Sequence, residues 1–242
     1  MRFFMMFLGS VLFLFAYSAK VEPFDVYEVA SPVAGQVIKV RKDKEAQVFK
    51  GELVKIDDAV DKIELRNINA QIDILKSEIQ NQASIVRRKY ETYLRYKALK
   101  TKSLEEKNLK YYDYMLAKNQ LLSLKSQLSN LEANRAKILD TINKKSIKVN
   151  GYVNQIYVDK YNYVTPGTKI AEVDDISKEK LTIYIPIDKM KRFKEVYING
   201  KKSNFKVYKT WIVPDKKYVT SYKVELVGSG LRIGEIVEVE LK

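Results

Sequence analysis

The sequence predicts an α+β chain of several parts: a β-sandwich split into two segments, a long antiparallel α-helical hairpin inserted between them, and a small β-barrel after them. Three observations carry this prediction. A motif of about 30 residues occurs twice at a constant offset. The stretch between the copies, residues 59–145, contains neither Gly nor Pro. The remainder, from about residue 180 onward, alternates apolar and polar positions in short runs.

Composition narrows the chemistry. The 242 residues carry 44 Lys plus Arg against 30 Asp plus Glu, a formal charge of +14, and 46% are hydrophobic. Cys is absent, which removes disulfides, thiolate metal sites, thiol nucleophiles and a lipid-modified N-terminal cysteine. His is absent too, so there is no Ser-His-Asp triad and no imidazole ligand. No catalytic or metal-ligating residue is assigned, no cofactor is expected, and an enzyme is not expected. Nine Gly and five Pro in so long a chain imply long uninterrupted elements.

The chain opens on Met1-Arg2, one positive charge, followed by Phe3 to Ala16, apolar apart from Gly9 and Ser10. That run is shorter than the roughly 20 residues of a membrane span. Ala16-Tyr17-Ser18 places small residues at −3 and −1 of a cleavage site after Ser18. Residues 1–18 therefore read as a secretory signal peptide, with a retained N-terminal anchor as the alternative. Export makes nucleic acid a poor explanation of the positive charge, and a Lys-rich proteome or an acidic protein surface a better one.

The two copies of the repeat begin at Ser31 and Val149. A shift of 116 superimposes Gly35 on Gly151, Val37 on Val153, Val40 on Ile156, Val48 on Val164, Gly51 on Gly167, Val54 on Ile170 and Asp58 on Asp174. Each copy alternates as half-buried strands do. Gly35, Gly51, Gly151 and Gly167 are expected at turns, and Val164-Thr165-Pro166-Gly167 has the Pro-Gly order of a type II turn. One copy is too small to bury a core, so the two should close a single sandwich from residues 27–57 and 146–174.

Between them lie two helical seams. Ile68, Ile72, Leu75, Ile79, Ala83, Val86, Tyr90 and Tyr93 form one; Tyr114, Ala117, Leu121, Leu124, Leu128, Leu131, Ile138 and Ile142 form the other. Alternating steps of three and four give the 3.5-residue coiled-coil period. Arg135 occupies a seam position, where its long stem can snorkel. Ser103 followed by Glu106 is a capping box, so a second helix starts there. Two arms of about 40 residues make a rod of roughly 60 Å whose ends both return to the sandwich.

Charge gathers at the far end of this rod. Residues 87–110 hold nine Lys or Arg against Glu91, Glu105 and Glu106, a net of +6, and Tyr90, Tyr93, Tyr96, Tyr111, Tyr112 and Tyr114 crowd the same end. This is either a solvated end of a Lys-rich chain or a docking surface rich in interface-forming residue types. After the second copy, residues 175–242 supply the barrel. LTIYIPI, VYINGKK with a hairpin turn at Asn199-Gly200, FKVYKTWIV, YVTSYKVELV and IVEVEL read as strands, with a short helix from Asp188 to Lys194.

This arrangement resembles the membrane fusion protein family, the periplasmic adaptors of tripartite efflux pumps (resistance-nodulation-division, RND) and of type I (HlyD-type) secretion systems. Ser31-Pro32-Val33-Ala34-Gly35, Gly151-Tyr152-Val153 and Val164-Thr165-Pro166-Gly167-Thr168 are similar to the family's two lipoyl-half motifs. Leu231-Arg232-Ile233-Gly234-Glu235 resembles its Leu-Arg-Pro-Gly-Met segment, with Ile233 in place of the proline and Gly234 as a turn. At the hairpin tip, Arg95, Leu99 and Ser103 are similar to an Arg-Leu-Ser motif that engages the outer-membrane channel. Leu99 to Ser103 is three residues shorter than the efflux-type spacing.

The resemblance implies a lipoyl-like domain (27–57 with 146–174), an α-helical hairpin (59–145) and a β-barrel (175–242). The chain ends directly after the barrel, so it looks like an abbreviated member. The implied function is an adaptor between an inner-membrane transporter, RND type first and ABC type second, and a TolC-like outer-membrane channel, working as a hexameric ring in the periplasm. Arg95 would donate hydrogen bonds to the channel, Leu99 would pack, and Ser103 would cap and contact. The other readings are a stand-alone envelope coiled-coil binding protein and an acyl or biotin carrier. The carrier lacks a lysine at a tight turn of either lipoyl half.

Overall fold

A computed structural model describes residues 16–242 apart from Arg192 and Asp215. Most of the expected signal segment, residues 1–15, lies outside the described residues. The elements run β1 (Ala16–Ala30), β2 (Gly35–Val40), β3 (Gln47–Ile56), α1 (Ala59–Ala98), α2 (Leu104–Lys144), β4 (Ser146–Ile156), β5 (Tyr163–Val164) and β6 (Lys169–Pro186). They continue with β7 (Val196–Ile198), β8 (Lys201–Lys202), β9 (Lys206–Thr210), β10 (Ser221–Gly228) and β11 (Ile236–Leu241). The inserted hairpin and the flanking β segments are as the sequence predicts.

Two apolar cores result. Val37, Leu53, Ile56, Val153, Val164 and Ile170 belong to the first, built from both copies of the repeat. Val21, Leu181, Ile185, Val224, Leu226 and Val239 belong to the second. The pairing order β5-β2-β3-β4-β6-β1-β11-β7-β8, with β10 and β9 branching from β6, joins them.

The joint is a two-stranded ribbon. β1 and β6 pair antiparallel from Val21↔Leu181 to Ala30↔Lys169, while the first five residues of β1 pair instead with β11, from Ala16↔Glu240 to Lys20↔Ile236. The boundary expected between residues 174 and 175 falls inside β6. The cleavage site expected after Ser18 falls inside β1, whose Ala19 and Val21 face the second core. The first half of β1 is not legible in the sequence because Glu22, Pro23 and Asp25 interrupt its alternation. Proline is tolerated there because the register shifts between Pro23 and Asp25, at a bulge.

Several local expectations need correction. Gly51 and Gly151 are not at turns but inside β3 and β4, and Gly35 opens β2. At Gly151, φ is +156° and an added Cβ would lie 2.7 Å from the Asp174 carbonyl oxygen, so the strands meet there only because no side chain intervenes. Gly167 and Gly234 do lie in turns, with φ +87° and +89°. The helix expected over 188–194 is a single 3-10 turn, Ile187–Lys189. Asn199 and Gly200 both take positive φ and join β7 to β8, as predicted.

The hairpin leaves the first core at a braced base. Lys145 reaches Asp61 at 2.5 Å, and buried Asp58 is held by Lys55 at 2.6 Å and Lys62 at 3.1 Å. Along the arms, Ile68, Ile72, Leu75 and Ala117 are buried as the seam requires. Ala83 is not: Gln82 takes that place, buried, its Nε2 donating to the Ala117 carbonyl at 2.9 Å. A buried amide with one defined acceptor fixes the register of the two arms, because any slip leaves it unpaired.

Candidate functional site

The far end of the hairpin is shaped by how the two helices stop and start without a glycine. Leu99 turns to extended backbone, φ −75° and ψ 120°, and its N–H donates to the Tyr96 carbonyl at 3.2 Å. Ser103 then opens α2. The Glu106 N–H donates to Ser103 Oγ at 3.2 Å, and the Ser103 N–H donates to Glu106 Oε2 at 3.0 Å. Lys102 closes on the same carboxylate at 2.8 Å. The Lys102 contact and then the Ser103 N–H hold the Glu106 carboxyl below its ordinary range, and Glu106 raises Lys102 in return. The reciprocal cap satisfies two otherwise orphaned donors, so the turn is defined.

The tyrosines clustered in sequence divide into two roles. Tyr90 meets Tyr114 at 5.0 Å and Tyr93 meets Tyr111 at 5.4 Å between ring centroids, so these four pair across the arms. Lys97 sits over Tyr93, and Lys102 and Lys110 over Tyr96. Lys89 and Lys110 flank Asp113 at 3.8 and 3.6 Å. Much of the aromatic and basic character is thus spent on joining α1 to α2.

What faces outward is a smaller set. Arg95 is exposed, and its guanidinium donates to the Thr92 hydroxyl at 3.3 Å. Leu99 is 47% exposed. Ser103 is also on the surface, but its hydroxyl is engaged by the cap. The three expected site residues therefore share the tip, with Arg95 and Leu99 presenting free binding capacity.

Three further apolar residues join them: Leu104, Leu109 and Tyr112, which with Glu105 and Asn108 line a shallow groove on α2. Leu104 is 74% exposed and Tyr112 65%. The sequence did hold a signal for them. The α2 seam carried backward from Tyr114 passes through positions 110, 107 and 103, so Leu104, Leu109 and Tyr112 lie off the seam.

No family model matches the sequence, and no curated protein matches it. Solved structures do. MacA from Actinobacillus actinomycetemcomitans is 20% identical, with a TM-score of 0.73 over 94% of this chain and 78% of that one. The membrane fusion protein Spr0693 from Streptococcus pneumoniae R6 is 13% identical, with a TM-score of 0.68 over 94% of this chain and 99% of that one. The chain has the membrane fusion protein fold. Within that fold, the hairpin tip is the end farthest from both β cores, by about 60 Å for arms of this length.

Proposed function

We propose that this chain is a structural coupling protein, an adaptor that joins an inner-membrane transporter of RND type to a TolC-like outer-membrane channel through its hairpin tip. A single observation carries the reading. A defined, capped turn presents a cationic residue and unburied leucines at the end of a rod whose other end is braced on a β core. A slender rod cannot enclose a conduit alone, so function requires a ring of copies, six by resemblance, associated with the inner membrane on its periplasmic side. At the tip Arg95 donates to carbonyl or carboxylate acceptors of the channel, and Leu99 packs beside it with Leu104. Ser103 holds the turn. The strand pairing of Ala16, Tyr17 and Ser18 with β11 favours a mature chain that keeps these residues over one cleaved after Ser18.

The test is Arg95→Asp in cells that hold transporter and channel. Inverting a desolvated charge contact should weaken channel association by about 2–5 kcal/mol. Abundance should stay normal and stability should move by about 0.5 kcal/mol or less, because the site is exposed. Full transport and undiminished channel binding in this variant would show the tip assignment to be wrong.

A further inference from the structure

The loop between β9 and β10, residues 211–220, carries apolar side chains that the second core does not use. Ile212 is 76% exposed, Val213 75% and Val219 66%. Both of its ends are nonetheless held. The Trp211 N–H donates to the Lys223 carbonyl at 2.9 Å, and Lys223 and Lys209 lie over its indole ring. Tyr218 stacks on Tyr184 with centroids 3.8 Å apart. The described residues of the loop thus present aliphatic side chains to solvent, with anchored aromatic residues towards its two ends and lysines around them. From Lys206 to Lys223 the sequence has five lysines and one acid, a net of +4.

The loop is attached to the second core. Ser221 pairs with Pro186 at the end of β6, and the Ile187 N–H donates to the Thr220 carbonyl. Met190, shortly after, and Tyr17 of β1 both pack against the second core. The loop therefore springs from that core at the Pro186 end of β6.

We infer that the 211–220 loop is a lipid-docking element that seats the β9–β10 end of the protein on an anionic membrane surface. Ile212, Val213 and Val219 enter the interfacial region, Trp211 and Tyr218 sit at headgroup depth, and Lys209, Lys216 and Lys217 face the lipid phosphates, while Lys223 stays paired with Glu225. Amphipathic aromatics and snorkelling lysines are the residue types that settle there. The inference goes beyond the adaptor reading and does not use the tip.

The absence of cysteine allows a direct test on the full chain. An environment-sensitive fluorophore is placed at Val213→Cys, at Val219→Cys or, as a control, at the exposed Leu122→Cys on α2. The labelled protein is mixed with phosphatidylcholine vesicles with or without phosphatidylglycerol, carrying doxyl-labelled lipids. The labels at 213 and 219 should shift to the blue and be quenched in the anionic vesicles, with the label at 122 unchanged. Lys216→Glu with Lys217→Glu should cut that quenching severalfold, as should raised salt. Ile212→Ser should cut it in low salt as well. A label at 213 or 219 that stays in water while the protein floats with the vesicles would overturn the inference. So would shielding that arises only when a transporter is present, which would make the loop a protein-docking surface.

Discussion

The two copies of the internal repeat face each other in the first core, yet they are not used alike. β2 of the first copy pairs with β5 of the second, with Gly35 opposite Val164. Strict symmetry would place Gly151 opposite Val48 in the reciprocal pair of β4 and β3. Instead Gly151 lies opposite Phe49, and Val48 opposite Tyr152. A slip of one residue turns every side chain to the other face. Val164 is accordingly 1% exposed and Val48 67%, while Phe49 packs on the core beneath the Arg41 guanidinium. Repeated sequence specifies the shared architecture, and register decides which copy supplies a given core residue.

The largest expected effect tests the close strand approach. Gly151→Ala should destabilise by about 3 kcal/mol or more, since the new methyl meets backbone oxygen at a strained φ. Gly35→Ala meets only the Ile56 Cγ2 methyl, at 2.6 Å, and should cost less, about 1–3 kcal/mol. Urea denaturation of the two variants measures the difference. Equal losses would mean that the two crossings are equivalent after all.

Next in size is the register itself. Val164→Ala removes two methyl groups from a filled site and should cost about 2 kcal/mol. Its repeat partner, Val48→Ala, should change stability by about 0.5 kcal/mol or less. Comparable losses at both positions would mean that β3 pairs with β4 in the symmetric register in solution.

How much of this could be read from the sequence follows the range of the interactions involved. The hairpin was legible almost to the residue because helix seams and a capping box are local patterns. So was the Asn199-Gly200 turn. The sandwich was legible as a pairing of copies, since the constant offset carries long-range information, but its one-residue slip was not: Val48 and Val164 look identical in the alternation. Gly51 and Gly151 read as turn residues in the sequence because glycine that permits two strands to touch has the same local signature as glycine that bends the chain. Ala83 yielded its seam place to Gln82 because the polar residue finds its acceptor on the other helix, 35 positions away. At the tip, Arg95, Leu99 and Ser103 follow from the resemblance to the family's Arg-Leu-Ser motif, and the capping box marks the start of α2. The tyrosine pairing across the two arms, with Leu104 and Leu109 left outside it, required the geometry.

The smallest expected effect contrasts the two aspartates that end the copies. At Asp58 burial works to raise the carboxyl, but contacts from Lys55 and Lys62 outweigh it and the net shift is downward. At Asp174 burial, with the nearby Glu172 charge adding to it, raises the carboxyl, and its buried Oδ1 has no hydrogen-bond partner among the described residues. The signs follow from linkage. A depressed folded pKa gives Asp58 a stabilising contribution that is present above the unfolded value of about 3.9 and is lost as pH falls through the folded one. A raised folded pKa makes ionised Asp174 destabilising at neutral pH, and that penalty is relieved as pH falls through the raised value toward about 3.9. Asp58→Asn should therefore lower stability at pH 7, and Asp174→Asn should increase it, each on the order of 1 kcal/mol. Thermal melts from pH 7 down to about 3 read both, and the two differences from wild type should shrink toward zero in acid from opposite sides. A loss of stability at neutral pH in Asp174→Asn would mean that this carboxylate has a cationic or donor partner in solution, and that the two copies treat their terminal acids alike.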